Sequence, residues 1–160
     1  MFKRIIVAAT FVVTSFTSAS ALDYTKSIEI AAAPKTVWKA IGEFCGIEDW
    51  HPAVEKCALS EKDGKTLRTL TLKDGGTIVE RLEARDDEAM SYTYTILEGV
   101  LPVANYRSTI RVVKSGRGSK VTWTCNFRSK GAPNDRASKA ISGVYEAGLR
   151  GISGKVERGL

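Results

Sequence analysis

Apolar residues recur along the chain with two different periods. Between Asp23 and Ile30, Tyr24, Ile28 and Ile30 occupy alternate positions with Lys26 among them, the pattern of a first strand. From Ala33 the spacing lengthens. Val37, Ile41 and Phe44, with Trp38, recur at helical intervals, and Pro34 sits early enough that its missing N–H costs nothing. Gly42 and Gly46 interrupt this helix. Trp50-His51-Pro52 ends a short second helical piece, because a residue before proline avoids the helical region.

Beyond Pro52 the period is two. Strands are predicted over 54–62, 65–73, 77–86, 90–98, 105–114 and 119–128. The turns between them include Lys62-Asp63-Gly64, Asp74-Gly75-Gly76, Arg85-Asp86-Asp87-Glu88 and Ser115-Gly116-Arg117-Gly118. Such short turns imply antiparallel pairing in sequence order. The link from Glu98 to Ala104 is longer and apolar, whereas loops normally face water, so it is expected to close over something. Ala132-Pro133-Asn134-Asp135 then breaks the series and supplies a helix cap. Ala137, Ile141, Val144, Tyr145, Gly148, Leu149, Ile152 and Val156 mark one face of a long helix ending near residue 157. The expected class is α+β: a seven-stranded curved antiparallel sheet wrapped around a long C-terminal helix, one sheet face buried and the other wet.

The first 21 residues stand apart from this domain, which occupies 22–160. Met1-Phe2-Lys3-Arg4 is basic, Ile5 to Val13 is apolar apart from Thr10, and Ala19-Ser20-Ala21 offers a cleavage site. Together these predict a cleaved signal peptide and a periplasmic or secreted protein. The apolar run is too short to span a bilayer, and the mature chain has no segment long enough to do so.

Length and composition agree with one domain. The 160 residues, 43% of them hydrophobic and 26% charged, can bury a core. The formal charge of +6 raises nucleic acid or an anionic membrane as a partner. Without Lys3 and Arg4, however, 22 basic residues face 18 acidic ones, leaving +4. Those cations are scattered among acids, without the basic and aromatic interleaving of a single-strand groove, so no nucleic-acid partner is expected.

The candidate chemistry is sparse. His51 is the only histidine, which excludes multi-histidine metal sites, and no Cys/His spacing suits zinc; neither metal nor cofactor is expected. Alternation places Ile78, Glu80 and Leu82 on one strand face. Glu80 is then a ligand contact, a buried group needing a partner, or a side chain facing a water-filled cavity. His51 is either a base titrating near neutrality or a helix-end residue packed beside Trp50. If both face one cavity, they hold a polar ligand head or act as an acid–base pair. Cys45 and Cys57, twelve apart across a helix–strand bend, can pair in an oxidising compartment, leaving Cys125 in a strand.

Several segments carry a resemblance. Ala33-Pro34-Lys35-Thr36-Val37-Trp38, Gly42-Glu43-Phe44, Trp50-His51-Pro52, Gly75-Gly76-Thr77-Ile78-Val79-Glu80-Arg81-Leu82 and Leu101-Pro102-Val103-Ala104-Asn105-Tyr106-Arg107-Ser108 are similar to the bacterial polyketide cyclase/dehydrase-like branch of the START and Bet v 1-like (SRPBCC) superfamily. The resemblance implies a helix-grip fold with a hydrophobic cavity between sheet and helix for a small apolar or amphipathic, lipid- or polyketide-like ligand. It also leaves open a cyclase/dehydratase-type enzyme using His51 and Glu80. A secreted member of this branch serves periplasmic methanol oxidation, which implies an accessory role with a protein partner as a further alternative.

Plant abscisic acid receptors resemble the chain in the same fold. Their cavity lysine falls at His51, their cavity glutamate at Glu80, and other lining positions at Tyr94, Ile96, Tyr106 and Ser108. Their latch matches Leu101-Pro102-Val103, and their gate is reduced here to a short turn, which argues against hormone reception. The implied cavity is bounded by His51, Leu70, Leu72, Ile78, Glu80, Tyr94, Ile96, Tyr106 and Ser108, with Ile141, Val144, Tyr145 and Gly148 as the helix wall and 99–105 as the lid.

Overall fold

A computed structural model describes residues 21–159. The expected signal peptide lies outside the described residues apart from Ala21. The chain starts with β1 (Leu22–Ile30), then α1 (Pro34–Ile41), a 3-10 turn (Phe44–Gly46) and α2 (Ile47–Trp50). Six strands follow: β2 (Val54–Lys62), β3 (Lys65–Leu72), β4 (Thr77–Asp86), β5 (Ser91–Gly99), β6 (Val103–Ser115) and β7 (Gly118–Ser129). The last element is α3 (Asn134–Glu157).

All seven strands form one antiparallel sheet in the order β1-β7-β6-β5-β4-β3-β2. From β2 to β7 every strand pairs with its sequence neighbour, as short turns require. In the β2–β3 turn Lys62 faces Lys65, and Asp63 and Gly64 have φ of 52° and 69°. Two positive φ values in a two-residue loop match the strands' own twist. Alternation is strict in β7, where Val121, Trp123, Cys125 and Phe127 are buried between outward-facing neighbours. α3 packs against β1, β7, α1 and α2, burying Ala137, Ile141, Tyr145, Gly148, Leu149 and Ile152.

Two local features differ from the sequence reading. β6 begins at Val103 rather than 105, because Val103 pairs with Ser129 and Ala104 with Arg128 before a bulge ahead of Arg107. Asn105, at φ 52°, lies in that bulge, where asparagine tolerates a left-handed backbone. The expected lid over 99–105 therefore shrinks to Val100-Leu101-Pro102. At the start of α3, Pro133 occupies the cap position and no side chain caps the helix; Asn134 Oδ1 instead accepts from Ser129 Oγ at 2.6 Å.

The helical insert is tied down at several points. The Cys45 and Cys57 sulfurs are bonded, with Cα atoms 5.5 Å apart, joining the 3-10 turn to β2. Glu48 Oε2 accepts the Cys57 N–H at 2.7 Å, and Asp49 accepts from Lys155 of α3 at 3.0 Å. Gly151 lets α3 approach α2, since a Cβ there would collide with the Trp50 carbonyl.

Candidate ligand cavity and its buried ion pair

A cavity of about 70 Å³ lies between sheet and helix. His51, Leu70, Leu72, Ile78, Glu80, Tyr94, Ile96, Leu101, Tyr106 and Val144 all line it. Ile47, Ala53, Val54 and Trp123 complete the wall. Strand alternation delivers most of these: Leu70 and Leu72 from β3, Ile78 and Glu80 from β4, Tyr94 and Ile96 from β5.

Pro102, Val103, Ser108, Ile141, Tyr145 and Gly148 are not among the lining residues. Val103 is taken into the sheet, and the Pro102 carbonyl accepts from Lys130 N at 3.0 Å. Ile141 and Tyr145 are wholly buried in the core. Gly148 fits beneath the rings, because a Cβ there would stand 2.6 Å from Trp123, 2.9 Å from His51 and 3.1 Å from Trp50.

Ser108 belongs to a hydrogen-bonded chain. Its hydroxyl donates to the Thr124 carbonyl at 2.8 Å, so at 2.7 Å from the Tyr145 hydroxyl it accepts. Tyr145 in turn accepts from the Tyr106 hydroxyl at 2.7 Å. The Trp123 indole N–H is shared between Ser108 Oγ at 3.0 Å and the Tyr94 hydroxyl at 3.1 Å. Burial raises the phenol pKa values of Tyr94, Tyr106 and Tyr145 well above the ordinary, so they stay neutral and act as donors and acceptors.

Glu80 has a partner that the sequence reading missed. Arg68 of β3 stands directly opposite it, and its Nε donates to Glu80 Oε2 at 2.5 Å. Nη1 donates to the Phe44 carbonyl, and the guanidinium lies 4.0 Å from the Phe44 ring centre and 5.1 Å from that of Tyr94. Nη2 is buried with no hydrogen-bond partner among the described residues. Burial opposes the charge on Arg68 most strongly, yet the Glu80 carboxylate and nearby phenols outweigh it and raise its pKa, keeping it protonated. Burial likewise pushes the Glu80 carboxyl up, and Arg68 only partly pulls it back. The signal was present in the sequence. Arg68 shares strand parity with Leu70 and Leu72, and the structure adds the register: Leu72 closes on Gly76 around residues 73–75, which sets Arg68 opposite Glu80.

His51 is held as one neutral tautomer. The Ala53 N–H can only donate, so Nδ1 accepts from it at 3.2 Å; the Val144 carbonyl can only accept, so Nε2–H donates to it at 3.1 Å. Burial is the main cause of its lowered pKa, with Arg68 adding to it and the Val144 bond opposing. His51 and Glu80 thus line one cavity, but each is already committed: His51 to backbone through both nitrogens, Glu80 to Arg68. Among the described residues no cluster of three His, Cys, Asp or Glu side chains suits a metal, and no helix is long and apolar enough to cross a membrane.

The chain is similar in sequence and fold to known proteins. Residues 21–157 match the family described as "Polyketide cyclase / dehydrase and lipid transport". The Bacillus cereus protein XoxI is 35% identical, with a TM-score of 0.79 over 84% of this chain and 95% of its own. The Zhui aromatase/cyclase of Streptomyces sp. R1128 shares the fold at 20% identity, with a TM-score of 0.70 over 87% of this chain and 95% of its own. Ara h 8.0201 does so at 19% identity, with a TM-score of 0.71 over 87% of this chain and 99% of its own. The chain belongs to the polyketide cyclase/dehydrase and lipid transport family and has the helix-grip fold.

Proposed function

We propose that the protein binds a small, largely apolar molecule between sheet and helix and performs no chemistry on it. The observation that carries this reading is the make-up of the cavity: Leu70, Leu72, Ile78, Ile96, Leu101 and Val144 surround one carboxyl whose charge Arg68 already matches. Apolar walls favour a ligand by roughly 25 cal/mol for each Å² of apolar surface removed from water. Glu80 orients it by accepting one hydrogen bond. Membership of a family that includes lipid-transport proteins supports ligand binding.

Volume limits the guest. An apolar cavity of about 150 Å³ takes benzene. The present 70 Å³ suits a molecule about half that size, or the end of a longer lipid- or polyketide-like chain. Acid–base catalysis would first have to break the backbone bonds of His51 and the ion pair of Glu80. The basic, apolar and small-residue segments of 1–21 support export, so the ligand would be met in the periplasm.

Native mass spectrometry of protein taken from the periplasm, with solvent extraction of the same sample, tests this. The expected result is one small molecule per chain, lost in an Ile96→Phe variant that fills the cavity. A chain of bare mass, together with xenon binding that is absent or indifferent to Ile96→Phe, would refute it.

A further inference from the structure

Behind His51 lies a second, larger hollow. A groove of about 420 Å³ runs along α2, Lys73 and the C-terminal half of α3, with Trp50, His51, Val54, Arg150 and Arg158 in its walls. His51 and Val54 belong to both this groove and the inner cavity. His51 is only 4% exposed and lines both hollows, so it stands as a partition between the two. It is latched by the two backbone hydrogen bonds described above, and Gly148 leaves the space that the ring occupies.

The groove has unbalanced charge. Its acids are engaged: Glu48 with the Cys57 N–H and Asp49 with Lys155. Lys73 and Arg158 make no ion pair or side-chain hydrogen bond among the described residues, and Arg150 reaches Glu146 only at 3.9 Å. Lys73, Arg150 and Arg158 therefore border a hollow in which Lys155 answers Asp49 and Glu48 is the one lining carboxylate without a cation, so positive charge is in excess. Sites for drug-sized ligands span about 300–1,000 Å³. The inner cavity falls far short of that range, while the groove reaches it but lies open to solvent.

We propose that His51 is a door between the two hollows, and that with the door open they form one site for an amphipathic organic anion. The apolar body enters the sheet–helix cavity, and the charged head stays in the groove against Lys73, Arg150 and Arg158. This rests on the reading of the inner cavity as a ligand site and names the class of ligand. The head can be a carboxylate, a sulfonate or a phosphate, since all three present anionic oxygens to guanidinium groups.

The latch is sensitive to protonation. A proton on Nδ1 would set an N–H against the Ala53 N–H and break one of its two bonds. The charged groups around the ring are Arg68 and Glu80 on the cavity side, and Glu48, Asp49, Lys73, Arg150 and Arg158 on the groove side. Acidification below the ordinary histidine range therefore loosens the door.

Fluorescence titration with 8-anilinonaphthalene-1-sulfonate, alongside the neutral N-phenyl-1-naphthylamine, tests the proposal. His51→Ala is expected to bind the sulfonate about tenfold more tightly than the wild type near neutral pH, with near-ultraviolet circular dichroism unchanged. Adding Lys73→Gln, Arg150→Gln and Arg158→Gln should weaken the sulfonate about tenfold and leave the neutral probe unaffected. Should His51→Ala not fold, acidification of the wild type by about two pH units decides: sulfonate binding should tighten there and not in His51→Gln. Equal binding by wild type and His51→Ala, loss of both probes in the charge variant, or the same pH response in His51→Gln overturns the door. If xenon enters the wild-type cavity while these outcomes fail, only the door is wrong; if xenon does not enter, the reading of the cavity fails with it.

Discussion

Replacing Arg68 by methionine would leave Glu80 inside the sheet without its counter-charge. The two side chains are 0% and 5% exposed, so water cannot take over the pairing. Breaking a buried pair from one side costs about 3–5 kcal/mol. The Phe44 carbonyl also loses its donor, worth about 1–3 kcal/mol if nothing replaces it. A domain of this kind has roughly 5–15 kcal/mol of stability in total, so Arg68→Met stands near the limit of folding. Glu80 relieves part of the cost by taking up a proton, because burial already pushes its carboxyl up and Arg68 is what holds it down. A carboxyl whose folded pKa lies above its unfolded value contributes most stability below the unfolded value and loses it as pH rises through the folded one. Arg68→Met should therefore be most damaging near neutrality and least damaging in mild acid. Urea unfolding at a series of pH values, with the slope checked for constancy, measures this. Arg68→Met/Glu80→Leu should recover most of the loss, since replacing both partners removes the orphaned charge. The reasoning is refuted if Arg68→Met costs under about 1 kcal/mol, if its cost does not depend on pH, or if the double variant is no more stable than the single.

Three further outcomes are expected. Denatured, unreduced protein should titrate one thiol and reduced protein three; because the bridge closes a loop of only twelve positions, its loss should cost about 2–4 kcal/mol in thermal unfolding. Three thiols without reductant would remove the bridge from the account. The His51 ring should titrate by NMR below the ordinary histidine value. Its contribution to stability should be complete above the unfolded pKa and fade as pH falls through the folded one; a normal or raised value contradicts its burial. Ser108→Ala removes the nearer acceptor of Tyr145, leaving it the Thr124 carbonyl at 3.3 Å, and one of the two acceptors of Trp123, at a cost of about 1 kcal/mol, and should change the near-ultraviolet spectrum of the stacked Trp123–Tyr145 pair.

Much of the sheet was legible because its period is unambiguous. β2 and β4 occupy the residues that alternation and turn chemistry mark, and α3 ends at Glu157, where its apolar stripe stops. β6 was misread at its start because the bulge puts Val103 and Tyr106 both inward with two residues between them, which reads as loop. The site was less legible for a different reason. Ile141, Tyr145 and Gly148 have the same spacing as Val144, and periodicity says which face is buried without saying whether a cavity or a ring lies beneath it. Arg68 was passed over because an arginine in a strand normally faces water. Only the observed register, in which Leu72 closes on Gly76 around residues 73–75, exposes it as the partner of Glu80.

The size of the cavity follows from what fills the space between sheet and helix. Trp123 and Tyr145 stack at 4.3 Å with planes 10° apart, and Gly148 admits Trp123 and His51 to the helix surface. The Arg68 guanidinium occupies further interior volume against Phe44 and Tyr94. Trp123, Tyr145 and Arg68 are locked by hydrogen bonds whose rupture would strand buried polar atoms, so enlarging the cavity by moving them is costly. The wall segment 44–51 is equally constrained. Arg68 holds the Phe44 carbonyl, the disulfide holds Cys45, the Cys57 N–H holds Glu48 and Lys155 holds Asp49. The His51 side chain is different, since it is retained by two ordinary hydrogen bonds to backbone, each worth about 0.5–1.5 kcal/mol net. Any widening of this cavity should therefore begin as a rotation of that ring, with α2 and the sheet remaining in place.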